Sequence, residues 1–275
     1  MLLILVMVGA GVRGQVTARQ VVDEMVHAID HTFTLQGRIK RNERVKGVME
    51  PGELRFKLMV KPHKLYVYNL LPEEGAELLY VTGWNDGEVL CHPNKFPWIN
   101  LDFGTHAIEL TKSGHHPMTC IGFAYTGAII RHMISKYGAG FNEHLHYQGR
   151  EMWYGKSMHV VKLTFPEYRT TDTYAVQGDE DVFDIDEKLK VPAYRIVELN
   201  GLKNFLDVKP GQVLKVPNVY AKEMVLMIDP DSHLPIVQLV FDDKGLFEKY
   251  EYCDLKVNVR FSTLDFLEEN EEYGF

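Results

Sequence analysis

Histidine, cysteine and acidic side chains fall close together at several points of the chain, and such groupings are the raw material of metal and nucleophilic sites. His115 and His116 precede Cys120, Cys91 adjoins His92, and His144-x-His146 would project both rings to one face of a strand, as zinc ligands require. Spacing alone does not close such a site. The chain has neither a Cys-x-x-Cys nor a His-Glu-x-x-His, and carboxylates such as Glu143 are common on any surface. Ser113-Gly-His and Thr119-Cys120 lack the Gly-x-Ser-x-Gly elbow of an activated serine. Asp242-Asp243 and Asp229-Pro-Asp231 look like paired catalytic acids, but each falls at a turn between strands, where Asp is favoured for bonds to its own backbone. The residues therefore predict no metal, no cofactor and no catalytic set, and a zinc-dependent hydrolase is the least favoured reading.

The elements that would position these side chains are mostly strands. Val21, Val22, Met25, Val26 and Ile29 recur at helical spacing, which predicts an amphipathic helix within residues 16–33. From Thr34 the period becomes two. Leu54, Phe56, Leu58 and Val60 alternate with charged residues, and turns at Pro62-His63, Glu73-Glu74-Gly75 and Asn85-Asp86-Gly87 divide an antiparallel meander. Prolines and glycines between Pro93 and Pro117 predict loop with short strands. Helical spacing returns through Phe123, Ile129, Ile130, Met133 and Ile134, and strands resume at residues 153–165, 223–228, 234–241 and 247–259. An amphipathic helix, a long meander and a central helix are what a sheet that bends without closing needs, because its apolar concave face must be covered by helices or by a ligand.

Between the strand runs lies a compact segment, residues 173–217, reading strand, helix, helix, strand. Asp179 after Gly178 is placed to cap the first helix, Asn200-Gly201 supplies a left-handed stop for the second, and Pro210-Gly211 turns into Val213, Leu214 and Val216. Lys209-Pro-Gly-Gln-Val-Leu-Lys-Val-Pro217 resembles the second half of the LysM module, with Glu180-Asp181 standing where that pattern carries Thr-Leu. The resemblance implies a groove for N-acetylglucosamine-containing glycan formed by Gly178, Asp179, Glu180, Asp181 and Val182 on one side and Asn200, Gly201 and Leu202 on the other.

Outside this insert, the predicted architecture resembles LolA and LolB, the half-open β-barrels that carry bacterial lipoproteins, and more closely an uncharacterised group of exported bacterial proteins. The resemblance rests on the N-terminal helix, Tyr80-Val-Thr-Gly-Trp-Asn-Asp-Gly87, His116-Pro-Met-Thr119, Tyr250-Glu-Tyr-Cys-Asp-Leu-Lys-Val-Asn258 and Tyr273-Gly-Phe275. It implies an α+β fold, a curved antiparallel sheet with covering helices, into which the βααβ insert is set. The division is a signal peptide at 1–14, half-barrel at 15–172, insert at 173–217 and closing strands at 218–275. The function implied is extracytoplasmic and non-enzymatic: an acyl chain or lipidated partner held against Leu54, Phe56, Leu58, Val67, Tyr80, Val225, Met227 and Leu239, with peptidoglycan association through the insert. These apolar residues serve equally as plain core. The alternative is a cell-envelope scaffold whose only ligand is glycan.

Bulk properties fit this picture. A net charge of -8 argues against a nucleic-acid surface, which needs clustered cations. The apolar run Met1 to Val12 followed by Arg13-Gly14 suits an export signal and is too short to span a bilayer. Three cysteines are too few for a disulfide scaffold and read as small buried apolar residues.

Overall fold

The computed structural model describes residues 16–275, so the expected signal segment at 1–14 lies outside the described residues. Helix α1 (Ala18–Asp30) starts where the Thr17 hydroxyl accepts from the Gln20 amide at 3.1 Å and buries Val21, Val22, Met25 and Ile29. Strands β1 (Thr34–Val45) and β2 (Val48–Met59) follow as a long hairpin, closed by Lys46-Gly47 with both residues at positive φ. Then come β3 (Lys64–Leu71), β4 (Glu77–Val81), β5 (Val89–His92) and β6 (Leu101–Phe103), each antiparallel to the one before.

A short helix α2 (Ile108–Thr111) and the longer α3 (Ala124–Tyr137) lead to β7 (Leu145–Trp153) and β8 (Lys156–Thr164). The insert supplies β9 (Asp172–Ala175), α4 (Val182–Leu189), α5 (Ala193–Asn200) and β10 (Val213–Val216), and the chain ends in β11 (Glu223–Ile228), β12 (Pro235–Asp242) and β13 (Gly245–Val257). Eleven strands form one antiparallel sheet in the order β6-β5-β4-β3-β2-β1-β13-β12-β11-β8-β7; β9 and β10 pair separately. Its edge strands β6 and β7 do not pair with each other, so the sheet curves without closing.

Helices α1 and α3 lie in the concavity. Met25, Ile29, Ile130 and Met133 pack on Leu35, Phe56, Leu65, Val161 and Leu163 in one core. Gly127 lets the helices approach: a Cβ there would meet Ile29 Cγ2 at 3.0 Å. The C-terminal segment wraps the convex face, where Phe266 and Tyr273 pack on Tyr66, Leu79 and Leu90, and the Tyr66 and Tyr273 rings stack at 3.7 Å. Among the described residues no helix is long and apolar enough to cross a membrane.

The insert has the expected strand-helix-helix-strand order, with β9 and β10 antiparallel. Its first helix begins at Val182, but the cap is Asp181, not Asp179. The Asp181 carboxylate accepts from the Phe183 and Asp184 amides, and Asp184 answers the Asp181 amide at 2.9 Å in a capping box. Asp-x-x-Asp beginning two residues further on outcompetes Gly178-Asp179, because only that register satisfies two amides reciprocally. Gly201 provides the left-handed stop at φ 61°. Val182, Ile185, Ile196 and Leu214 run into the main core. Beneath α5, buried Arg195 bonds Glu198 at 2.8 Å and Asp243 at 2.7 Å, while Arg44 of β1 bonds Asp242 at 3.0 Å, so the insert is clamped to the sheet by charges of both signs.

Candidate functional site

A cavity of about 530 Å³ lies on the concave face, beside the part that α1 and α3 fill. That volume falls within the roughly 300–1,000 Å³ usual for small-molecule sites. Strand pleating builds its wall. Inward residues alternate, so the registers Val67↔Leu78, Leu78↔Cys91 and Cys91↔Leu101 line up one apolar row, and Ile39↔Leu54 begins the next. Phe103 on β6 ends the wall, and the cover is Phe96 from the loop before β6, then Leu110, Met118 and Ile121 from the chain between β6 and α3, with Tyr125 and Ile129 from α3.

The deep end is polar. On β1 and β13 the inward phase passes from Ile39 and Tyr252 to Arg41 and Tyr250, then to Glu43 and Glu248, each pair directly opposite in register. Glu248, 1% exposed, accepts from His115 Nδ1 at 2.9 Å, His116 Nε2 at 3.2 Å and the Tyr220 hydroxyl at 3.1 Å. Burial pushes this carboxyl up, but the His116 charge and the two imidazole hydrogen bonds outweigh burial and bring it down to about 2. Burial likewise opposes the charge on His116, and Glu248 outweighs it, lifting the imidazole to about 9. His115 Nε2 reaches the Arg44 carbonyl at 3.0 Å, and its ring stacks on Tyr194 of α5. Glu43 takes hydrogen bonds from Arg41 and the Tyr250 hydroxyl, and the Arg41 Nη1 also donates to the Ser113 carbonyl at 3.0 Å. The Tyr125 hydroxyl donates to both oxygens of Asp186 on α4, at 2.5 and 2.7 Å. Burial raises that carboxyl to about 7 despite the pull of His116.

The network thus joins β1, β13, the cover and the insert around one end of the cavity. Chemically it holds fixed charge and hydrogen-bonding groups beside an apolar tunnel wall, an arrangement suited to an amphiphile. The imidazoles of His115 and His116 face carboxylate, carbonyl and phenol, and the Cys120 thiol is pushed up by burial, which keeps it protonated and a poor nucleophile.

Leu54 and Val67 stand in the cavity wall. Phe56, Leu58 and Tyr80 leave the same face of the sheet but pack into the core beside it. Val225, Met227 and Leu239 lie on the convex face, in a patch with Met158, Val160 and Val237 against Trp153; their neighbours Met224 and Val240 point into the cavity instead. Of the insert residues, Gly178 and Asp179 are exposed and Val182 is core. Glu180 is held by Tyr174 and Lys188, and Asp181 by His106 Nδ1 at 2.7 Å. Asn200 brackets β10, accepting from the Lys215 amide and donating to the Lys215 carbonyl, both at 2.8 Å. Gly201 and Leu202 follow it on one side of the insert.

Of the histidines singled out for metal, His115 and His116 meet on Glu248, His144 bonds the Thr164 carbonyl and His146 the Thr164 hydroxyl, and His92 bonds Asn100. Among the described residues, His106, Asp181 and Asp184 bring ligating atoms within 4.8 Å of one another, and all three are engaged in the α4 cap. The cysteines form no disulfide. The site residues expected from sequence do not include Arg41, Glu43, Glu248 or Tyr250. The available signal was phase: Leu35 and Ile39 fix the inward face of β1, which places Arg41 and Glu43 on that same face.

Fold and site together define a half-open antiparallel barrel with a covered, mainly apolar cavity. The chain belongs to the family described as protein of unknown function DUF1571, whose profile matches residues 30–199 and 187–275. No curated protein matches it. Among solved structures it is similar to MucB of Pseudomonas aeruginosa in complex with MucA, at 14% identity and TM-score 0.42, covering 91% of this chain and 60% of that one. It is also similar to the Mycobacterium tuberculosis lipoprotein LppX, at 12% identity and TM-score 0.43, covering 89% and 97%. A third is a LolA superfamily protein from Nitrosomonas europaea, at 10% identity and TM-score 0.33, covering 92% and 99%. The chain spans less than two thirds of MucB.

Proposed function

We propose that the protein is an extracytoplasmic, non-enzymatic carrier that holds an acyl chain, free or on a lipidated partner, in the concave cavity. The observation that carries this reading is the cavity of about 530 Å³ lined by Val67, Leu78, Leu101, Phe103 and Ile129. The apolar lining of a hollow of this size is left to water unless a ligand displaces it, which favours an apolar guest. Each methylene placed there contributes about 0.8 kcal/mol, and the polar end gives the head group charged partners. The apolar run at Met1 to Val12 supports export. Purification without detergent followed by mass spectrometry of an organic extract tests the reading: co-purified acyl lipid is expected in near-stoichiometric amount, and a lipid-free protein that also refuses added fatty acid counts against it.

Peptidoglycan association through the insert is a second reading, supported by the βααβ order and by an open hollow beside Leu202, bounded by Asp207, Lys209 and Gln212. Sedimentation with purified peptidoglycan checks it, with Leu202→Arg as the variant expected to lose binding. Equal retention of both proteins, or of neither, removes the glycan role.

A further inference from the structure

We infer that the loop Pro93–Asn100 at the cavity mouth is a membrane-contacting tip that dips into a lipid bilayer, so that an acyl ligand enters or leaves without crossing water. This rests on the carrier reading above. Phe96 is 85% exposed, more than any other large apolar side chain among the described residues, and Trp98 and Ile99 follow at 63% and 56%. Phe96 also lines the cavity, so the exposed patch and the apolar interior are continuous through one side chain. Leu71, 43% exposed at the end of β3, lines the same mouth.

The loop is built to present these residues. His92 Nδ1 and Asn100 Oδ1 meet at 3.0 Å across its base, Lys95 pairs with Glu73 at 2.6 Å, and the Trp98 amide donates to the Lys95 carbonyl at 2.8 Å. Its polar residues are therefore tied back to the body while its apolar residues face out, the reverse of an ordinary surface loop. A tip of four residues is far smaller than the roughly 20–30 residues a side of a stable protein interface. Aromatic side chains on a short projection suit the bilayer interface, where Trp is favoured. With a net charge of -8 on the whole chain, attraction to anionic head groups does not drive the contact, which makes it apolar in origin.

The test uses the full chain and vesicles of phosphatidylethanolamine and phosphatidylglycerol. In a Trp84→Phe, Trp153→Phe background, Trp98 emission should shift to the blue on adding vesicles, and the protein should sediment with them even in about 1 M salt, where the Debye length is about 3 Å. Replacing Trp98 and Ile99 together by Ser, both exposed and neither lining the cavity, should weaken sedimentation about tenfold or more. A soluble fluorescent fatty acid, titrated in parallel, reads the cavity alone, and the double variant, whose two positions lie outside the cavity lining, should bind it as the wild type does. A wild type that binds the fatty acid but ignores vesicles, as a protein-docking tip would, overturns the membrane contact and spares the cavity. So does a double variant that sediments as the wild type does, or sedimentation abolished by salt. Vesicle binding by a wild type that refuses the fatty acid supports the tip and counts against the carrier reading.

Discussion

Glu248 is almost fully buried, and its three donors decide the pH response of the deep end of the cavity. Its carboxyl is held at about 2, below the ordinary value near 4.3, so its contribution is present above pH 4.3 or so and is lost as pH falls through about 2. His116, lifted to about 9, contributes fully below its ordinary value near 6.5 and loses that contribution as pH rises through about 9. Glu248→Gln keeps the shape but leaves the His116 charge unpaired; denaturant melts should show a loss of about 3 kcal/mol near pH 6 that shrinks above pH 9 or so, where the imidazole is neutral. A loss independent of pH would mean that the pair is not ionised. Asp186 has the opposite sign. Its carboxyl is raised to about 7, so it weakens the fold progressively as pH climbs from about 3.9 to 7. Asp186→Asn should therefore gain about 1–3 kcal/mol at pH 8, less at pH 5 and nothing near pH 3, read as shifts in urea midpoint.

Among the elements, two contacts hold the cover and the insert in place. Gly122 precedes α3 at φ 101°, and a Cβ there would stand 2.6 Å from Leu58 Cδ2. Gly122→Ala should cost about 1–3 kcal/mol in thermal or denaturant stability, from left-handed strain and overpacking together. Arg195 is 2% exposed, and Arg195→Ala leaves Glu198, Asp242 and Asp243 without it, which should cost about 3–5 kcal/mol and raise protease sensitivity of the insert. The elements themselves were legible. Helical spacing marks α1 and α3, and the strict alternation of β2 gives its inward face. Facing failed where alternation fails: Met224-Val-Leu-Met-Ile228 is apolar at every position, because one face meets the core and the other packs beneath Trp153, so no period distinguishes Met224 from Val225. The site was legible only in part. His115 and His116 stand out in sequence, whereas their partner Glu248 lies 133 residues from His115, and only strand order brings them together.

At the scale of the whole molecule, an eleven-stranded sheet has more concave surface than two helices can cover. The remainder is roofed by irregular chain rather than by a close-packed helix, and the cavity is the space between roof and sheet. No stretch of sequence encodes that volume, since it depends on how far the roof stands off the sheet. Leu54, half-buried in the wall, is the place to close it, because Trp there fills space without displacing core. Titration of detergent-free, delipidated protein with a fluorescent long-chain fatty acid, wild type against Leu54→Trp, measures the central claim directly. Saturable one-to-one binding by the wild type, weakened about tenfold or more in a Leu54→Trp variant of unchanged stability, is the predicted result. No saturable binding by the wild type, or equal binding by both proteins, would contradict it.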